Sequence, residues 1–185
     1  EEILAEFGLS LDPDLDAYYL IQASLVNMPM LAENLGIMRA QGTGFLAQGN
    51  LPPEGRAALS ALNKRVQEVQ GEMFRNIKRA IDVNAAMKAA LGAKVEASKQ
   101  TVDKALSLAD QALINATDIT HPAPAYFDEF TRTIDGLYEF NALAMKSLEQ
   151  ALEQRVAGMH QKQYLTAAVL LFGLISAVLL AVAFV

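Results

Sequence analysis

One feature of the sequence constrains the fold more than any other, an uncharged apolar segment at residues 164–185 (YLTAAVLLFGLISAVLLAVAFV). All 15 Lys and Arg and all 21 Asp and Glu residues lie before it. In an α-helix, about 20 such residues span a bilayer core about 30 Å thick. A buried core helix is the alternative, but core helices are rarely apolar on every side for this length. We therefore predict a transmembrane helix at 164–185 and a separate domain at 1–163.

Residues 1–163 show helical periodicity and almost no strand alternation. Three apolar seams recur at spacings of three and four, the pattern of helices packed in a bundle. They are Leu59, Leu62, Val66, Val69, Met73, Ile77 and Ile81; Val95, Val102, Leu106, Ala109 and Leu113; and Phe127, Phe130, Ile134, Leu137, Asn141, Ala144, Leu148, Leu152, Arg155 and Met159. The fold class predicted is all-α, a long antiparallel helical bundle that continues into one transmembrane helix.

Helix boundaries carry their own signals. Asp12, Pro13 and Asp14 combine a capping side chain, a proline suited to a first helical position and a carboxylate near the positive helix end. The helix that begins there should end between residues 41 and 48 and should kink at Pro29, which removes a backbone donor. We predict turns at residues 50–53 and 120–124, with a break between two helices within residues 83–92. The last helix should run without interruption into the apolar segment.

Composition excludes several classes of function. The chain has no Cys, so disulfide scaffolds and zinc-thiolate sites are excluded. A net charge of -6 argues against nucleic-acid binding. His121 lies in a proline-rich turn and His160 beside the apolar segment, and neither has the context of a catalytic triad. No cluster of histidines or carboxylates has metal-ligand spacing. We expect no enzymatic activity, no catalytic residue, no metal and no cofactor.

Two stretches and the apolar segment resemble the sensor region of bacterial methyl-accepting chemotaxis proteins with long helical sensor domains. The stretches are residues 11–42 (LDPDLDAYYLIQASLVNMPMLAENLGIMRAQG) and residues 122–156 (PAPAYFDEFTRTIDGLYEFNALAMKSLEQALEQRV). The resemblance implies a periplasmic bundle of the helical bimodular type, two stacked four-helix bundles, in which residues 1–8 end an earlier helix. It also implies a homodimer in the bacterial inner membrane. A HAMP domain and a cytoplasmic coiled coil would then act on a histidine kinase through a coupling protein.

Under this interpretation the chain is a ligand-sensing and signal-transducing module, with a small molecule or a periplasmic binding protein as its partner. A sensor region of a histidine kinase or a diguanylate cyclase fits the same pattern. A cytosolic tethering protein with a tail anchor is the alternative from another class, and it explains better why Arg155 and Lys162 precede the apolar segment.

Candidate ligand residues are few. Tyr18, Tyr19, Asn27 and Arg39 could line a cleft between helices, where bundles build their sites. Each also fits a plainer interpretation, with the tyrosines in the core and Arg39 in solvent.

Two further sets of residues suggest contacts. Arg75 and Arg79, four residues apart, could hold an anion such as an organic acid, or form a solvated stripe. In the apolar segment, Gly173, Ala177 and Ala181 repeat at intervals of four and would allow close helix packing.

Overall fold

The computed structural model describes the backbone of residues 14–183 and the side chains of all of these except 160–162, 175 and 177–183. Its elements in chain order are α1 (Leu15–Ile21), a π-helix (Gln22–Asn27), α2 (Met28–Gln48), α3 (Pro53–Val83), α4 (Ala85–Ala109), a second π-helix (Asp110–Ile114) and α5 (Ala123–Ala183). No strand occurs within these residues. The predicted cap at Asp12 and Pro13, and the tail predicted at residues 1–8, lie outside the described residues.

Four helical arms pack together as an antiparallel bundle. α1, the first π-helix and α2 form one arm against α3, and α3 packs in turn on α4. α5 closes the bundle, since its Tyr126 contacts Met38 of α2 and its Glu129 pairs with Lys104 of α4 at 2.9 Å. The prediction of an all-α bundle is confirmed.

The first arm is irregular where Pro29 occurs. Pro29 lies in the first turn of α2, directly after the six-residue π-helix Gln22–Asn27. A proline has no N–H group, and its ring would collide with the carbonyl four residues earlier in a regular α-helix. The wider π-helical turn is a known way to accommodate such a defect. A π-helical segment therefore precedes Pro29, where the sequence predicts a kink.

α2 continues through Gly42 and Gly44 and ends at Gln48, within the predicted interval of residues 41–48. Its C-terminal cap is Gly49, whose φ of 61° lies in the left-handed region that favours glycine. The Gly49 and Asn50 amides donate to the carbonyls of Leu46 and Phe45, which closes the helix end.

α3 and α4 meet at Asn84, within the predicted interval. Asn84 has extended backbone angles (φ -129°, ψ 108°), so the helix of α3 stops there. Its side-chain oxygen accepts hydrogen bonds from the amides of Ala86 and Met87, both at 3.0 Å, and caps α4. Its side-chain amide donates to Asp16 at 2.6 Å, which ties this joint to α1. Gly92, the last residue of that interval, lies inside α4.

We expect Asn84→Ala to lower the free energy of unfolding by about 1 kcal/mol, because two amides at the start of α4 lose their acceptor. Thermal unfolding followed by circular dichroism measures the change. Asn84→Ser should restore most of the stability, since serine is a comparable cap. Equal losses for the alanine and serine variants would show that the bond to Asp16, and not the cap, matters here.

Most of the predicted seam residues are buried. The largest fully buried side chains include Tyr126 and Phe130 of α5, whose rings stack with centroids 4.5 Å apart. Phe127, predicted to face the bundle, is instead 42% exposed, because the buried face of α5 is centred on Tyr126, Phe130 and Thr133. The buried face of α5 is therefore wider than the predicted seam, and it includes the polar residue Thr133.

The chain divides into two compact units, one ending at Leu148 and one beginning at Glu149. α5 contributes to both, and its helical backbone continues without interruption between Val156 and Leu165. In the second unit, large apolar side chains are exposed, among them Tyr164 and Phe172, each at 74%.

Within the part of the chain that the structure describes, no helix is both long enough and apolar enough to cross a membrane. The span predicted at residues 164–185 is therefore not confirmed.

Candidate functional site

Arg39 of α2 lies half-buried against α5. Its guanidinium donates a hydrogen bond to the Thr131 hydroxyl at 2.9 Å. The guanidinium carbon also lies 4.8 Å from the centre of the Phe127 ring, in a cation–π contact. Phe127 and Thr131 are four residues apart, so α5 presents both to the same side. Two helices thus hold one cationic group in a defined orientation.

Arg39 forms no ion pair within the described part of the chain. Arg65 and Arg132, by contrast, each pair with a glutamate on their own helix. Arg56 donates instead to the carbonyls of residues 113, 114 and 116, where it closes the end of the second π-helix. A guanidinium has five N–H donors, so the single bond to Thr131 leaves most of the donors of Arg39 for an anion.

The neighbouring core supports this arrangement. Tyr126, one residue before Phe127, is fully buried, and its hydroxyl donates to the Met38 carbonyl at 3.3 Å. Burial raises the pKa of Tyr126 well above its ordinary value, because the phenolate would lose its contact with water. Gly42 allows this packing, because an added Cβ would lie 2.5 Å from the Tyr126 ring.

Tyr18, Tyr19 and Asn27 lie in a different region of the bundle from Arg39. Asn27 is buried and accepts a hydrogen bond from Asn76 at 3.0 Å. Twenty helical residues separate Tyr19 from Arg39, which corresponds to roughly 30 Å along the axis. Arg39 therefore belongs to the α2–α5 contact, and Tyr18, Tyr19 and Asn27 lie along α1 and the first π-helix.

Arg79 joins the second group, since its guanidinium carbon lies 5.1 Å from the centre of the Tyr19 ring. Tyr18 and Tyr19 pack edge to face with their centroids 5.3 Å apart. Arg75 lines a groove between α3 and α4 instead. Arg75 and Arg79 thus contact different neighbours, and the structure gives no clamp formed by the pair.

Sequence reasoning found Arg39 but missed both of its partners on α5. The available signal was the spacing of Phe127 and Thr131, which places an aromatic and a hydroxyl side chain on one helical face. Gly173 is exposed, with nothing within 4 Å of an added Cβ, while Ala177 and Ala181 lie outside the described side chains. Packing at these three positions remains a prediction.

Comparison with known proteins identifies the family. No curated protein and no solved structure matches the chain significantly. The family model described as nitrate and nitrite sensing (NIT) matches residues 6–157, more than four fifths of the chain, and so covers α1 to α4 and the part of α5 that carries Phe127 and Thr131. The chain therefore belongs to the nitrate- and nitrite-sensing family, whose domains are sensor modules of bacterial signalling proteins.

Proposed function

We propose that this chain is a sensor of nitrate or nitrite and that Arg39 binds the anion between α2 and α5. The single observation that carries the assignment is the half-buried Arg39, oriented by Phe127 and Thr131 and without a carboxylate partner in the described residues. The family match supplies the class of ligand.

The chemistry of Arg39 suits a planar oxyanion. The guanidinium is a planar fork of N–H donors that binds two oxygens of one group side by side, and nitrate, like a carboxylate, presents two oxygens in a plane. The Thr131 hydroxyl accepts a hydrogen bond from Arg39, and it can also rotate and donate to the anion. The Phe127 ring covers part of the guanidinium, which lowers the competition from water.

A route for the signal follows from the helices involved. The ligand would touch α2 through Arg39 and α5 through Thr131, and α5 is the helix that continues into the second unit. An anion that replaces the bond between Arg39 and Thr131 changes the α2–α5 contact. The anion can change the output only if it binds one packing arrangement of α2 and α5 more tightly than another. The coupling free energy between a ligand site and an output is typically about 1–3 kcal/mol.

The proposed function also includes the cellular location of the chain and the signalling protein to which it belongs. We place the bundle in the periplasm and residues 164–185 in the inner membrane of a bacterium, on the basis of the apolar sequence and the family. The full-length protein would be a homodimeric chemoreceptor, because residues 11–42 and 122–156 resemble the sensor region of methyl-accepting chemotaxis proteins. A sensor region of a histidine kinase or a diguanylate cyclase is the alternative. The coding sequence after Val185 distinguishes these from a tethering protein, because a receptor continues into a HAMP-like linker.

The test is isothermal titration of the purified full chain, in detergent, with sodium nitrate and sodium nitrite. We expect Arg39→Gln to raise the Kd for the anion at least about tenfold, since charge-assisted hydrogen bonds are each worth about 1.5–3 kcal/mol. Thr131→Val should weaken binding by a smaller factor. Sodium chloride at the same ionic strength serves as the reference for non-specific charge effects.

Arg65→Gln is the matched control, because Arg65 is exposed and pairs with Glu68 on its own helix. It should leave the Kd unchanged. If the unmodified chain binds nitrate and Arg39→Gln binds it equally well, the anion lies elsewhere. If neither nitrate nor nitrite binds the unmodified chain, the proposed function is wrong.

A further inference from the structure

A second candidate site lies between α3 and α4, on the groove that Arg75 lines. We call it the cationic groove, and its walls are residues 71–81 of α3 and residues 92–99 of α4. Its volume is about 460 Å³, within the range of small-molecule pockets, about 300–1,000 Å³. It involves none of the residues around Arg39.

The cationic groove combines an apolar floor with a charged rim. Phe74 and Ile81 contribute buried apolar side chains and Val95 a half-buried one. Gly71 and Gly92 leave space on the two opposite walls, because neither has a side chain. This floor favours a ligand with an apolar body, since contact with it removes apolar surface from water.

The rim carries three cations, Arg75, Lys78 and Lys99, against one carboxylate, Glu96. Lys78 pairs with Asp82 at 3.0 Å and Lys99 with Asp103 at 3.5 Å. Both pairs are exposed, and such pairs contribute little and exchange readily. Arg75 forms no ion pair in the described part of the chain. Arg75 is therefore a guanidinium on the rim that no carboxylate contacts within the described residues, and it can bind a ligand with a single negative charge.

We propose that the cationic groove binds an aromatic monocarboxylate, with the carboxylate on Arg75 and the ring on the floor between Phe74 and Val95. The planar guanidinium fits a carboxylate through two parallel hydrogen bonds. A small inorganic anion lacks the apolar body, so the floor gives it no advantage. A neutral ring lacks the charge that Arg75 recognises.

Isothermal titration of the full chain in non-ionic detergent with sodium benzoate tests the proposal, with empty micelles as the blank. Benzamide, which has the same ring without the charge, is the comparison ligand. We expect benzoate to bind at least tenfold more tightly than benzamide in this groove. Equal binding of benzoate and benzamide would overturn the role of Arg75.

Two variants locate the site. Arg75→Gln keeps the length of the side chain and removes its charge, and it should weaken benzoate binding at least tenfold. Gly92→Leu fills the groove from the opposite wall and should abolish binding. The leucine variant should fold, because the nearest atom to an added Cβ at Gly92 is Lys88 Cγ at 3.9 Å and leucine favours helix more than glycine.

Arg65→Gln and Arg39→Gln are the controls, on α3 outside the groove and at the proposed anion site respectively. Both should bind benzoate as the unmodified chain does. If Arg39→Gln loses benzoate binding while Arg75→Gln and Gly92→Leu keep it, the carboxylate occupies the Arg39 site and the cationic groove is not a site. No binding of benzoate to the unmodified chain also contradicts the proposal, whatever the result with nitrate.

Discussion

Replacing Tyr126 by alanine should lower the free energy of unfolding by about 3–5 kcal/mol, the range for removing a large buried ring. Tyr126 is fully buried, and its ring stacks on Phe130 with an interplanar angle of 28°. It also fills the space left by Gly42 and donates to the Met38 carbonyl. Alanine would leave a cavity between α2 and α5, and the carbonyl would lose a donor.

Thermal unfolding of the full chain measures this effect. For a chain of this length the loss corresponds to a fall in Tm of roughly 10 °C. Tyr138→Ala is the matched control, because Tyr138 is on the same helix and 56% exposed, so its removal should change the Tm by only a degree or two. Similar losses at both positions would contradict the assignment of Tyr126 to the core. Because Tyr126 lies beside Phe127, its removal should also weaken nitrate binding at Arg39.

Replacing Gly42 by leucine should destabilise the chain by about 3 kcal/mol, the upper part of the range for overpacking a core. The added Cβ alone would lie 2.5 Å from two atoms of the Tyr126 side chain and 2.6 Å from a third. Tyr126 is enclosed on its other side by Phe130, so it has little freedom to move away. α2 and α5 must therefore separate at this level of the bundle.

Gly36→Leu is the control on the same helix, since nothing lies within 4 Å of an added Cβ there. Leucine favours helix over glycine by up to about 1 kcal/mol, so this variant should be slightly more stable than the unmodified chain. Denaturant unfolding of the two variants should therefore give changes of opposite sign. Two stabilised variants would mean that Gly42 is not packed against α5.

Helix number and most helix ends could be predicted because their causes are local. Asn84 interrupts the pattern within the predicted interval, and Gly49 supplies the left-handed conformation that ends α2. The effect of Pro29 was predicted as a kink and found as a π-helix, since a missing donor perturbs the helix without specifying how the chain absorbs it. The prediction that Phe127 faces the bundle is wrong for a different reason. A spacing of three and four fits two adjacent faces of one helix, and only neighbouring helices select between them.

The candidate sites were predictable in part. Arg39 and Arg75 are identifiable as possible anion ligands from residue type alone, but their surroundings depend on contacts between distant segments. Arg39 meets Thr131, ninety-two positions away, and Arg75 shares its groove with residues of α4. The sequence suggests Tyr19 and Arg39 for one cleft, but the structure places them twenty positions apart along the helices of the first arm, which corresponds to roughly 30 Å.

Periodicity, capping residues and glycine positions determined by themselves that this chain forms long helices and where those helices turn. These properties depend on backbone geometry and solvation within a few turns, which the local sequence controls. Only the tertiary structure decided that Arg39 is held between α2 and α5 without a carboxylate partner in the described residues, and that Gly42 packs against the ring of Tyr126. Those outcomes depend on the rotation of each helix about its axis, which packing against its neighbours sets.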